Sequence, residues 1–138
     1  MGDNKTGKIV QIIGAVIDVQ FEKDNLPLIY TAVKLINETK GGKREIVAEV
    51  EQHLGDDIVR CISLDSTYGL RRGDEVINTG KPILVPVGRD CLGRLFNLLG
   101  KPIDELGPVK ASDHYPIHRE PPLLSEQDTT TEVFETGI

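Results

Sequence analysis

The chain holds 138 residues, room for one domain or for one domain and part of another. Apolar residues make up 38% of it, aromatic residues only 4%, and Trp is absent, so a core must be built from Ile, Val and Leu. The net charge is −6 and neither the first 80 residues nor the remainder is basic, which argues against a phosphate-backbone binder.

Residues 1–7 are polar and read as a loose tail. They have neither the apolar centre of a signal peptide nor an Arg-rich transit pattern. No apolar run approaches the roughly 20 residues that a spanning helix needs. Cys61 and Cys91 are the only cysteines and form no Cys-x-x-Cys pair, so two reduced thiols in a cytosolic protein are expected.

Strand signals begin at Lys8. Val10 and Ile12 share one face, with Gln11 on the other. After Gly14 the parity changes, and Ala15, Ile17, Val19 and Phe21 share a face with Asp18 and Gln20 opposite. A one-residue slip at a glycine predicts a bulge, a device by which small barrels turn corners. Glu22 to Pro27 is a polar loop. Leu28 to Ile36 reads as a second strand, with Ile29, Thr31, Val33 and Leu35 on one side. Asn37 to Arg44, containing Gly41-Gly42, reads as a hairpin connection. Glu45 to His53 alternates, with Ile46, Ala48 and Val50 against Val47, Glu49 and Glu51. Gly55-Asp56-Asp57 is a turn, Ile58 to Leu64 a strand, Leu70-Arg71-Arg72 a tight excursion between Gly69 and Gly73, and Asp74 to Thr79 a last strand. About six short strands joined by turns predict an all-β barrel over residues 1–80.

A composition shift marks the next boundary, at Gly80-Lys81-Pro82, because seven of the eight prolines lie at or after Pro82. Residues 81–138 form the second predicted unit. Ile83 to Val87 reads as a short strand, at an edge or a strand end because of the two nearby prolines, and is ended by Gly88. Asp90 can cap a helix, along which Leu92, Leu95, Phe96 and Leu99 recur at helical spacing until Gly100 and Pro102 stop it. Asp104 to Gln127 shows no sustained periodicity, which suggests that this half packs on something beyond it. Ile138 follows no helix stop or turn, so the chain reads as cut rather than finished.

Candidate chemistry is sparse. Gly80-Lys81 and Gly100-Lys101 invite reading as phosphate loops, but that motif is G-x-x-x-x-G-K-[ST]. Here Pro82 and Pro102 replace the hydroxyl, and neither Gly-Lys has the earlier glycine. His114 and His118 have the spacing of a zinc pair on a helix, but Pro116 between them opposes a helix, so solvated or packing histidines are expected. Arg71 and Arg72 read as a solvated turn beside Asp74 and Glu75, with a subunit contact left open. Asp56-Asp57 is turn chemistry, and Thr129-Thr130-Thr131 has no base nearby in sequence. No catalytic, cofactor-binding or metal-ligating residue is expected in this chain.

Several long motifs carry a resemblance. VPVGRDCLGRLFNLLGKPIDELGP, from Val85 to Pro108, is one. Gly7 to Val19, Pro116-Ile117-His118-Arg119 and the closing Glu135-Thr136-Gly137-Ile138 are the others. Taken in order from about Gly7 to the last residue, they resemble the rotary ATPases, and within them the F-type ATP synthase beta subunits. The alpha subunits share the Val85–Asp104 pattern without this N-terminal run, and secretion-type ATPases share less of both ends.

The resemblance implies a mainly β chain: a six-stranded barrel followed by the incomplete start of an α/β P-loop nucleotide-binding domain. It implies barrels that alternate with alpha-subunit barrels in a ring, a central stalk in the complex, and Mg-ATP or ADP bound by the full-length subunit. It places every nucleotide- and magnesium-binding residue beyond Ile138 or on another chain, so the chain alone should be inactive. Membrane association would be indirect, through the complex, at the cytoplasmic face of a bacterial inner membrane or in an organelle-encoded counterpart. Asn37 to Arg44 and Glu120-Pro121-Pro122-Leu123-Leu124 depart from the family pattern. Without its usual neighbours the Leu92–Leu99 stretch is expected to promote self-association or local disorder, and residues beyond about 105 to be mobile or ordered only by contacts between copies. A free-standing, OB-like binding barrel is the alternative, weakened by the acidic balance and the few aromatic residues.

Overall fold

The computed structural model describes residues 6–39, 42–133 and 135. Residues 1–5 of the expected tail, Lys40 and Gly41 of the hairpin and Thr136–Ile138 of the closing motif lie outside them. Six strands account for the first half: β1 (Thr6–Ile13), β2 (Val16–Phe21), β3 (Thr31–Thr39), β4 (Gly42–Gly55), β5 (Ile58–Ser63) and β6 (Glu75–Pro82). They close into a barrel in the order β1-β2-β5-β4-β3-β6, every neighbouring pair antiparallel. Closure leaves no unpaired edge among them.

The period-two pattern decides which face is wet. Ile17, Val19, Val33, Leu35, Ile46, Ala48, Val50, Val59, Cys61 and Val76 are fully buried in the lumen. Phe21 joins them, and each fully buried Ile, Leu or Val contributes about 1.5–3 kcal/mol, so the scarcity of aromatics is offset by number. Leu70 closes the cluster from the loop before β6.

Turn chemistry is local and follows the sequence. Asp56 and Asp57 both take positive φ, 49° and 62°, as the central residues of a I′ hairpin turn between paired Gly55 and Ile58. Gly14 does something other than expected. It does not bulge one strand: with φ 60° it opens a two-residue hairpin turn between β1 and β2. The bulge falls earlier, at Val10, between Ile9 and Gln11. The slip lets Ile9 face the core and Ile12 pack against it, whereas Val10 is only half-buried. The β3–β4 hairpin is also tighter than Asn37–Arg44 suggests, with pairing continuing to Thr39 and Gly42. Ile29 is exposed and lies before β3 begins.

Beyond β6, β7 (Leu84–Val87) is the predicted strand, and it pairs with β8 (Asp113–Pro116). The irregular reading of Asp104–Gln127 therefore missed a strand, because β8 has too few residues to show a period.

The predicted helix does not form. Arg89–Cys91 make one 3-10 turn, after which Gly93 takes φ 70° and breaks the helical path. The Leu95 and Asn97 backbones then pair with Ile103 and Lys101: Ile103 N–H donates to the Leu95 carbonyl and Asn97 N–H to that of Lys101, both at 2.9 Å. The leucine spacing thus lies on a small hairpin, and Leu92, Leu95 and Leu98 are exposed.

Candidate functional site

The most constructed part of the molecule is the seam where the second half lies on the outside of the barrel. On that outer face Ala32 and Val47 are buried with Ile83, and Leu64 and Leu99 pack against them. This second apolar cluster gives β3 and β4 two dry faces, which strict alternation does not announce.

Glu49, on the same outer parity as Val47, is 5% exposed. His118, just past β8, brings its Nε2 to 2.8 Å from Glu49 Oε1, and its ring stacks on Tyr30 with centroids 4.1 Å apart. Tyr30 itself sits at φ 66°, a region costly for a bulky residue, and its N–H donates to the Val50 carbonyl at 2.7 Å. The other Glu49 oxygen, Oε2, is buried and has no hydrogen-bond partner among the described residues. Arg119, next in sequence, lies over the Tyr115 ring at 4.3 Å. Three consecutive side chains, Ile117 to Arg119, line a recess of about 520 Å³ with Tyr30 and Glu120.

A second hub orders the Val85–Pro108 stretch. Arg94 donates Nε–H and one terminal N–H to the two carboxylate oxygens of Asp104, at 2.5 and 2.9 Å, and reaches the Gly107 carbonyl at 2.6 Å. The Leu95 and Leu106 amides donate to the same carboxylate. The Arg94 hydrogen bonds, then those two amides, hold Asp104 well below the usual carboxylate range against the opposing effect of burial. Asn97 Oδ1 accepts from the amides of Leu99 and Lys101, and Gly100 at φ 71° leaves no room for a Cβ beside Pro86.

On the barrel wall, Arg60 of β5 grips Asp18 of β2 through two hydrogen bonds of 2.8 and 2.9 Å. Asp18 lies opposite the Ile17–Val19 face, as its parity predicts, and it is buried there beneath that guanidinium. Desolvation, then the charges of Asp18 and Glu51, push the Cys61 thiol up to about 12. Cys91 is half-buried and free.

The remaining singled-out residues stay apart. His114 sits in β8 opposite Pro86, and His118 is taken up by Glu49 and Tyr30. Gly80-Lys81 ends β6, Gly100-Lys101 closes the small hairpin, and neither opens a helix. Arg71 and Arg72 are exposed, with the Arg71 amide bonded to Asp74. Thr130 N–H donates to Asp128 in an exposed turn. Among the described residues no three His, Cys, Asp or Glu side chains gather as a metal set. Glu49, Tyr30, Arg94 and Asp104 escaped sequence reasoning as contact residues. The available signal for Glu49 was Val47, an apolar residue two positions away on a face read as wet.

Chemically the seam is a packing device, with its apolar cluster and the Glu49–His118 hydrogen bond spent on holding the second half to the barrel. Residues 9–80, just over half of the chain and nearly all of the barrel, match the family model described as the ATP synthase alpha/beta family, beta-barrel domain.

Proposed function

The chain belongs to the ATP synthase alpha/beta family, and from that premise we propose that it is the N-terminal region of the catalytic beta subunit of a proton-coupled rotary ATP synthase. In this reading the barrel assembles the ring in which these subunits alternate with alpha subunits. Residues 81–138 are the first part of the nucleotide-binding domain, and the complete subunit joins ADP and phosphate. The complex reaches a membrane only through its other parts.

The observation that carries the proposal is the family match along the barrel, joined to the barrel's closure. A closed barrel with its own core can serve as a rigid assembly element. The choice of beta over alpha rests on the Gly7–Phe21 strand and on Asn78-Thr79-Gly80 together with Glu135-Thr136-Gly137-Ile138. The exposed Leu92, Leu95, Leu98, Ile103 and Leu106 offer an apolar surface for further parts of such a domain.

Two measurements test it. Calorimetry of the 138-residue chain with Mg-ATP should give no binding heat, since no phosphate-loop motif is present in its sequence. Tight magnesium-dependent binding would contradict the inactivity. Mixed with an isolated alpha-type subunit, the chain should enter hetero-oligomers in which it occupies the alternate positions. Incorporation at alpha positions would assign it to the other subunit type.

A further inference from the structure

A groove of about 310 Å³ lies along the seam, floored by the Ala32–Val47–Ile83 cluster and by Leu99. Its volume is at the lower end of the range for small-molecule sites. Three lysines stand around it: Lys34 from β3, Lys81 from the end of β6, and Lys101 from the turn after Asn97. Among the described residues only one carboxylate, Glu45, lines the same groove, and it is paired with Lys34 at 3.2 Å. The ammonium groups of Lys81 and Lys101 have no carboxylate partner among the described residues. In a chain with 22 acidic and 16 basic residues, a groove with two uncompensated cations over an apolar floor runs against the average charge.

The backbone around these lysines is held in place. Thr79 Oγ1 donates its proton to the Ala32 carbonyl at 2.6 Å and accepts from the Lys81 amide at 3.3 Å, which ties the end of β6 to β3. Asn97 ties down Leu99 and Lys101 together, and Gly100 between them is seated against Pro86. The floor and the cation-bearing backbone therefore exist before any ligand arrives, which lowers the ordering cost of binding.

We propose that this groove binds a small amphipathic carboxylate, its apolar body on Ala32, Val47, Ile83 and Leu99 and its charge on Lys81 and Lys101. The length of such a ligand is bounded by the volume, which suits a medium-length aliphatic chain or a single substituted ring. Charge-assisted hydrogen bonds to ammonium groups supply selection for the anion over a neutral molecule of equal shape.

Octanoate is the probe, titrated into the isotope-labelled 138-residue chain and followed by amide chemical shifts. Saturable shifts are expected at Ala32, Val47, Thr79, Ile83 and Leu99, with octanol, the uncharged counterpart, at least tenfold weaker. Lys81 and Lys101 are exposed, so the K81E/K101E double variant should keep the barrel's spectrum and lose octanoate binding at least tenfold. Equal binding of octanol, equal binding by a folded K81E/K101E variant, or shifts confined to the exposed leucines of residues 92–106 would each overturn the proposal.

Discussion

Replacing His118 by Ala probes how the second half is held to the barrel. His118 is the partner of one oxygen of Glu49, a carboxylate whose other oxygen already has none, and its ring covers Tyr30. Removing it leaves a buried acceptor unsatisfied, a loss worth about 1–3 kcal/mol. The His118 side chain is 44% exposed, so solvent compensates part of the loss and the effect belongs in the lower half of that range. The loss should be local. The Ile117 amide donates to the Ile83 carbonyl at 3.1 Å and reports directly on docking of the segment after β8. Hydrogen exchange at Ile117 should accelerate roughly 5- to 30-fold, while Ile46 and Val50 in the lumen keep their protection. In Glu49→Leu, which removes the buried acceptor as well, the added His118→Ala change should cost much less. Unchanged Ile117 exchange in His118→Ala, or equal acceleration in the barrel core, would refute this account of the seam.

Three further outcomes are expected. The thiol of Cys61 is raised from an ordinary value near 9 to about 12, so its contribution to stability is intact below pH 9 and is lost as pH rises toward 12. At 1.36 kcal/mol per unit the loss reaches about 4 kcal/mol. Urea unfolding of the parent and Cys61→Val chains between pH 8 and 11 should show the extra decline only in the parent, and iodoacetamide should label Cys91 well before Cys61 in the folded chain. Gly100→Ala would place a Cβ 2.4 Å from Pro86 Cδ at φ 71°, and should cost at least about 1 kcal/mol, read as faster exchange in β7 and β8. Leu35→Ala in the fully buried lumen should lower unfolding free energy by about 2–5 kcal/mol, read from the urea midpoint.

The barrel half was legible because its signals are local. Alternation along Val33–Leu35, Ile46–Val50 and Val59–Cys61 states which face is buried whatever the strand order. The Asp56-Asp57 pair and Gly14 state where the chain reverses, although the parity change at Gly14 does not distinguish a bulge from the hairpin turn that forms there. A closed barrel needs each strand to have one dry face, and period two reports that directly.

What the tertiary structure decided lies where a second, distant partner competes with the local pattern. Leucines at helical spacing from Leu92 to Leu99 specify a helix only if an apolar partner covers their face. Here Gly93 breaks the path, and the Asp104 carboxylate claims the Leu95 amide that a helix would have used. Likewise Glu49 and Asp18 look solvent-facing along their strands, and they are buried because residues 69 and 42 positions away, His118 and Arg60, fold over them. The strands of the barrel follow from near-neighbour chemistry in the sequence. The seam, its Glu49–His118 hydrogen bond and its lysine-rimmed groove follow from contacts between segments that only folding brings together.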